Sequence, residues 1–306
     1  MKGFKILFIG LLVCFSFAGF GQTPELTPLS KISVLTCGSG EELYSSFGHT
    51  AFRVQDTSLG IDVVYKYGVF DNTSNYFDLK FIQGQMDYRL ARQSTSRFLA
   101  EYEYFNRWVK EQNLALNLQE RNQLFKFLET NYLPENQVYS YDFFYDNCST
   151  KVWDVLQATF GKKIVFYESY ISKQYTFRQL IHQNIKTNSW SAFGIDLALG
   201  SVIDDVATPK EHMYLPNYTM KQLKTSKKGE ELLVSNEESL YEAIPQEKST
   251  PFLIAPLFWL LILMLVVVIV TYKDYKKNKR SRWLDFTLFF ITGLAGLLLL
   301  FLWFLT

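Results

Sequence analysis

Asp146-Asn147-Cys148-Ser149-Thr150 runs directly into Lys151-Val152-Trp153-Asp154-Val155-Leu156, where apolar residues recur at helical spacing. Asn147 reads as the helix N-cap. Cys148 then falls in the first turn, where the helix dipole and free backbone N–H groups favour a thiolate over a thiol. Far upstream, Phe47-Gly48-His49-Thr50-Ala51-Phe52-Arg53 alternates as a β-strand, with His49, Ala51 and Arg53 on one face. A thiol at a helix start and an imidazole on a strand are the two parts of a thiol nucleophile site. The plainer reading is a structural cysteine and an unrelated histidine; the two local settings weigh against it.

The other cysteines are Cys14 and Cys37. Cys14 lies in an apolar run at the N-terminus, which leaves Cys37 and Cys148 in the mature chain. Outside the cytoplasm two such thiols can simply pair, so a Cys37–Cys148 disulfide is the structural rival to a free nucleophile. The run itself reads as a secretory signal over residues 1–21: Lys2 and Lys5, an apolar stretch from Ile6 to Ala18, then small residues before Gln22.

At the other end, Phe252–Tyr272 is an apolar span of 21 residues. That is long enough to cross a bilayer. Residues 273–282 carry six Lys or Arg and one Asp, and a second apolar span follows to Thr306. Positive charge marks the cytoplasmic loop, so residues 22–251 face the far side, in agreement with the signal. The domain plan is therefore signal peptide 1–21, catalytic domain 22–220, juxtamembrane spacer 221–251, and two spans over 252–306. The chain ends directly on the second span without a polar tail, which reads as a shortened version of a longer protein.

A formal charge of +1 over 306 residues gives nucleic acid nothing to recognise. Phe 27 and Tyr 19 supply an aromatic core or an apolar groove for acyl chains, and both readings stay open. His182 and His212 have no partner at metal-ligand spacing, so no metal or cofactor is expected. No Gly-x-Ser-x-Gly elbow is present, which disfavours a serine hydrolase.

Ile61–Tyr67 reads as a second strand after the Leu59-Gly60 turn and forms a hairpin with the His49 strand. Asp62, Tyr65 and Tyr67 are then candidates to orient His49, and Asp62 is the choice. Arg53, on the His49 face, is the candidate contact for a substrate phosphate; Tyr65 and Asn147 join it as substrate-side residues. Residues 96–109 read as one helix, and Asn117 with Glu120 forms a capping box opening the next.

These motifs, Phe-Gly-His-Thr-Ala-Phe-Arg-Val at 47–54 and Asp-Asn-Cys-Ser-Thr at 146–150, resemble the Lnb-type lipoprotein N-acyltransferases of Bacteroidota. Tyr214-Leu215-Pro216 and the paired C-terminal spans are similar too. The resemblance implies an α+β fold: a circularly permuted papain-like (NlpC-type) periplasmic domain followed by two transmembrane helices. The order of the residues agrees, since His49 precedes Cys148. It further implies an inner-membrane enzyme whose Cys148, activated by His49, takes an acyl chain from phospholipid and passes it to the α-amino group of a diacylated lipoprotein. Two other readings compete. One is a cell-wall cysteine peptidase or amidase using the same pair; the other is a tethered binding domain stapled by Cys37–Cys148.

Overall fold

The computed structural model describes residues 23–70, 87–245 and 251–305. The signal segment and Cys14 lie outside these residues. In chain order the strands are β1 (Lys31–Cys37), β2 (His49–Asp56), β3 (Ile61–Phe70), β4 (Asp87–Ser94), β5 (Val109–Leu114), β6 (Val138–Ser140), β7 (Ile164–Val165), β8 (Lys227–Lys228), β9 (Glu231–Leu232) and β10 (Val234–Tyr241). The helices are α1 (Thr95–Tyr104), α2 (Leu118–Tyr132), α3 (Thr150–Phe160), α4 (Phe177–His182), α5 (Trp190–Leu199), α6 (Pro209–His212), α7 (Pro216–Thr225), α8 (Pro256–Lys277) and α9 (Arg282–Leu305).

Seven strands form one antiparallel sheet in the order β10-β5-β1-β2-β3-β4-β6. Period-2 alternation splits its side chains between two cores. Ile32, Val34, Phe52, Val54, Tyr65 and Tyr67 face α2 and α3, meeting Leu124, Leu128, Val152 and Leu156. Leu35, Cys37, Ala51 and Val64 face the other way, onto Phe98 and Tyr102 of α1. Each fully buried side chain of this size contributes about 1.5–3 kcal/mol, so the sheet is held from both sides. A third apolar cluster gathers α4 with Tyr214, Leu215 and Tyr218.

The α+β expectation holds, with two corrections. The expected spacer over 221–251 is part of the fold as far as Tyr241: Leu223 and Leu233 are fully buried, and β10 completes the sheet by pairing with β5. The helix expected over 96–109 stops at Tyr104, because Asn106 takes a left-handed conformation (φ 51°) and turns the chain into β5. The Asn117–Glu120 capping box forms as expected. Of the two C-terminal helices, α8 and the Arg282–Phe301 part of α9 are long and apolar enough to cross a membrane.

Candidate functional site

Helical hydrogen bonding around Cys148 begins at Asn147, whose carbonyl accepts from the Lys151 N–H at 3.0 Å. The Asn147 Oδ1 accepts from the N–H groups of Ser149 (2.7 Å) and Thr150 (3.0 Å), bonds of the capping kind. The α-helix proper opens only at Thr150 with Ser149 as its N-cap, so Cys148 stands in the turn leading into the helix and not in its first turn, where the sequence places it. Its Nδ2 donates to the carbonyls of Phe143 (2.8 Å) and Tyr214 (2.9 Å). With all four bonds made and the side chain buried, Asn147 is a bracket for the Cys148 turn and has no capacity left for a substrate. Ser149 Oγ donates to Thr219 Oγ1 at 2.8 Å, fixing the same turn to α7.

The strand carrying His49 meets this turn. Thr50 Oγ1 donates to the Cys148 carbonyl at 2.7 Å. The pairing of β2 with β3 runs from Asp56↔Ile61 to Phe52↔Tyr65; beyond it, Cys148 touches Thr50 of β2 and Gly68 of β3. A methyl group at Gly68 would stand 3.7 Å from Cys148 Cβ, in ordinary contact. His49 pairs with Cys37 on β1, on the α1 side of the sheet. The Arg107 guanidinium acts electrostatically on Cys37, His49 and Cys148 alike. Arg107 is itself held by the Gly38 carbonyl at 2.8 Å and by the Tyr102 ring.

Gly48, just before His49, has φ +84°, and a Cβ there would stand 2.7 Å from the Cys37 carbonyl. Only glycine allows that approach without strain. Pro216 packs against the same glycine. Tyr214 and Pro216 therefore hold the two motifs from behind, one through Asn147 and the other at Gly48.

Cys37 and Cys148 are both free thiols, so the disulfide-stapled arrangement is not formed. Burial pushes the Cys148 thiol above its ordinary pKa; the Thr50 N–H and hydroxyl, and the cysteine's own N–H, act in the opposite direction. The thiolate expected from the helix start is thus not favoured at rest: desolvation outweighs the Thr50 and backbone N–H contacts and the Arg107 charge. Burial, followed by the positive charges of Lys66 and Arg107, lowers His49 from 6.5 to about 3. The resting pair is a neutral thiol and a neutral imidazole. The His49 Nε2 is buried and has no hydrogen-bond partner among the described residues.

Three residues expected at the site stand elsewhere. Asp62 pairs with Gln55, at the turn end of the hairpin and away from His49. Both its oxygens bind the Arg53 guanidinium at 2.8 Å, with Thr95 and Gln55 adding further bonds. Arg53 Nη1 donates to both Glu111 oxygens, so two carboxylates already hold the guanidinium where a phosphate was expected. Tyr65 is fully buried on the α2 and α3 side, its hydroxyl bonded to Glu129. His212, expected to be surface-exposed or locally bonded, is buried and locally bonded between the Thr208 carbonyl and the Tyr175 N–H.

Two groups were not legible beforehand. Thr50 links strand to helix start. Tyr139, on β6, has a buried hydroxyl that makes no well-formed hydrogen bond among the described residues; it stands 3.8 Å from the Cβ position of Gly68, whose backbone N–H acts on it, as does the Cys148 charge. Among the described residues no cluster of His, Cys, Asp or Glu is suited to hold a metal ion.

Residues 25–183 match the family model of the Lnb N-terminal periplasmic domain, more than half of the chain. The chain belongs to the Lnb family. Residues 246–306 match the Lnb transmembrane domain. Membership makes this an inner-membrane protein of lipoprotein biogenesis, with its N-terminal domain in the periplasm. No curated protein matches the chain. Among solved structures, the crystal structure of the Type VI secretion system effector TseH is similar at 14% identity and a TM-score of 0.30, over 45% of this chain and 80% of that one. That likeness is too slight to bear on fold or chemistry.

Proposed function

We propose that the chain is a Cys–His acyltransferase that moves a fatty acyl chain from membrane phospholipid to the α-amino group of diacylated lipoproteins. The domain is read as a papain-like unit in permuted order, histidine before cysteine. One observation carries the reading. A free thiol at a helix start sits beside the strand of a buried histidine whose Nε2 has no partner among the described residues.

The Cys148 sulfur attacks the ester carbonyl as His49 Nε2 takes its proton. The tetrahedral oxyanion is met by the Cys148 N–H and the Tyr139 hydroxyl. The carbon–oxygen bond breaks, His49 returns the proton to the leaving glycerol oxygen, and an acyl-thioester remains. The lipoprotein amine then attacks the thioester, His49 takes the amine proton, and the carbon–sulfur bond breaks to release the amide and restore the thiol. Because thiol and imidazole both rest neutral, the charge pair forms only as the bond is made. Membrane tethering raises the effective concentration of two substrates that are themselves membrane-held.

Intact mass of the full chain after incubation with phospholipid tests this. A single acyl adduct that maps to Cys148 and disappears on adding a diacylated lipopeptide is the expected result. If Cys148→Ser leaves lipoproteins fully N-acylated in a strain with no second copy, the proposal fails. Tyr139→Phe is expected to slow adduct formation by about 10²–10³, the usual cost of one oxyanion donor.

A further inference from the structure

The helix α5 is apolar on nearly every side, yet Ala192 is the one residue it buries. Trp190, Phe193 and Leu197 are exposed, and the following turn leaves Val202 74% exposed. A helix this apolar is normally covered. Its two ends show what covers it. Trp190 Nε1 donates to the Ile254 carbonyl at 2.9 Å, immediately before the first membrane span, and Asn188 Oδ1 accepts from the Leu257 N–H at 3.2 Å. Trp303 Nε1, near the end of the second span, donates to the Ala198 carbonyl at 2.6 Å. Ten residues of helix measure about 15 Å, so α5 bridges the span ends opposite the basic Lys273–Arg282 loop. That loop marks the cytoplasmic side, which puts α5 at the periplasmic boundary of the bilayer.

We propose that α5 and the Gly200–Asp204 turn are an interfacial element that seats in the outer leaflet of the membrane, its exposed apolar side chains lying among headgroups and upper acyl chains. Phe193, Leu197 and Val202 are dehydrated by lipid and not by protein, and Trp190 and Trp303 sit at the headgroup level such rings prefer. A cleft of about 450 Å³ between the Ser39–Ser46 loop, Phe105 and Asn184–Ser191 then opens at the membrane surface beside α5. The cleft begins two residues past Cys37, the strand partner of His49. A lipid-anchored substrate thereby reaches it without leaving the bilayer. This placement rests on the membrane spans and stands whether or not Cys148 carries acyl groups.

The test uses the full chain carrying Cys148→Ser, reconstituted in phosphatidylcholine vesicles, with a nitroxide attached at Val202→Cys or Phe193→Cys. Collision with oxygen, which concentrates in lipid, is compared with collision with a water-soluble nickel chelate. Both labels are expected to favour oxygen several-fold over a control label at the exposed Lys162, in the turn that follows α3. Nickel accessibility equal to that control overturns the proposal. So does exclusion of both agents with spin–spin broadening, which would mean that a second copy of the chain covers the face.

Discussion

Replacing Asn147 by alanine removes four buried hydrogen bonds at once, and their costs differ in kind. Loss of the two capping bonds to Ser149 and Thr150 costs about 1 kcal/mol, the usual value for an N-cap. Loss of the Nδ2 donors leaves the Phe143 and Tyr214 carbonyls without that partner, at about 1–3 kcal/mol for each one stranded away from water. The total is about 3–7 kcal/mol, and at roughly 2–4 °C per kcal/mol for a domain of this size it lowers the melting temperature by about 6–28 °C. Asn147→Ser separates the two parts: serine caps but has no second donor to bridge two carbonyls, so it should recover about 1 kcal/mol and no more. Thermal unfolding of the detergent-solubilised full chain, followed by near-ultraviolet circular dichroism, measures both variants. The reasoning is refuted if Asn147→Ala falls within about 1 kcal/mol of the parent, or if serine restores full stability. Activity should fall further than stability, since the turn that aims Cys148 is the one released.

Three further outcomes follow from the site. His49 titrates near 6.5 when unfolded but only near 3 when folded, so the unfolded chain binds the extra proton between these values and stability falls as pH drops from about 6.5 to 3, by at most ~1.4 kcal/mol per unit; in denaturant titrations His49→Gln should flatten that slope, and an unchanged slope would show that His49 is not the group responsible. Gly48→Ala should destabilise more than Gly68→Ala: both carry the backbone cost of positive φ, about 1–2 kcal/mol, but only at Gly48 does the new methyl overlap a backbone carbonyl, at 2.7 Å, and equal melting temperatures would count against this. Arg53→Met should cost about 3 kcal/mol, nearly all from stranding the buried Glu111 carboxylate, since Asp62 is 40% exposed and its share is screened by solvent; a rise in KM for phospholipid with stability unchanged would restore Arg53 as a phosphate contact.

The elements with strong periodicity or explicit chemistry could be read from the residues: β2 and β3, the Asn117 capping box, and the two spans. Register could not. Asp62 looked like a partner for His49 because strand alternation says which face a side chain takes but not how far along the hairpin it falls; the pairing Gln55↔Asp62 sets it several residues away. Strand β10 hid because Ser235-Asn236-Glu237-Glu238-Ser239 is as polar as a linker, a composition that edge strands use to discourage pairing with foreign chains. The thiol's state could not be read because burial raises the Cys148 pKa while hydrogen bonds from Thr50 and its own N–H lower it, and the extent of burial is known only in the folded site. Tyr139 carried no signal at all: its importance comes from a neighbour, Gly68, seventy-one residues earlier.

Strand β10 ends at Tyr241, and the first span opens at Pro256. During export the segment that closes the sheet is therefore among the last of the domain to leave the translocation channel. Until it does, the outer rim of β5 keeps its amide and carbonyl groups bare and available to any passing strand. The domain's final folding step and the lateral release of its first span into lipid are thus nearly simultaneous, which shortens the interval in which a half-built sheet is exposed to aggregation.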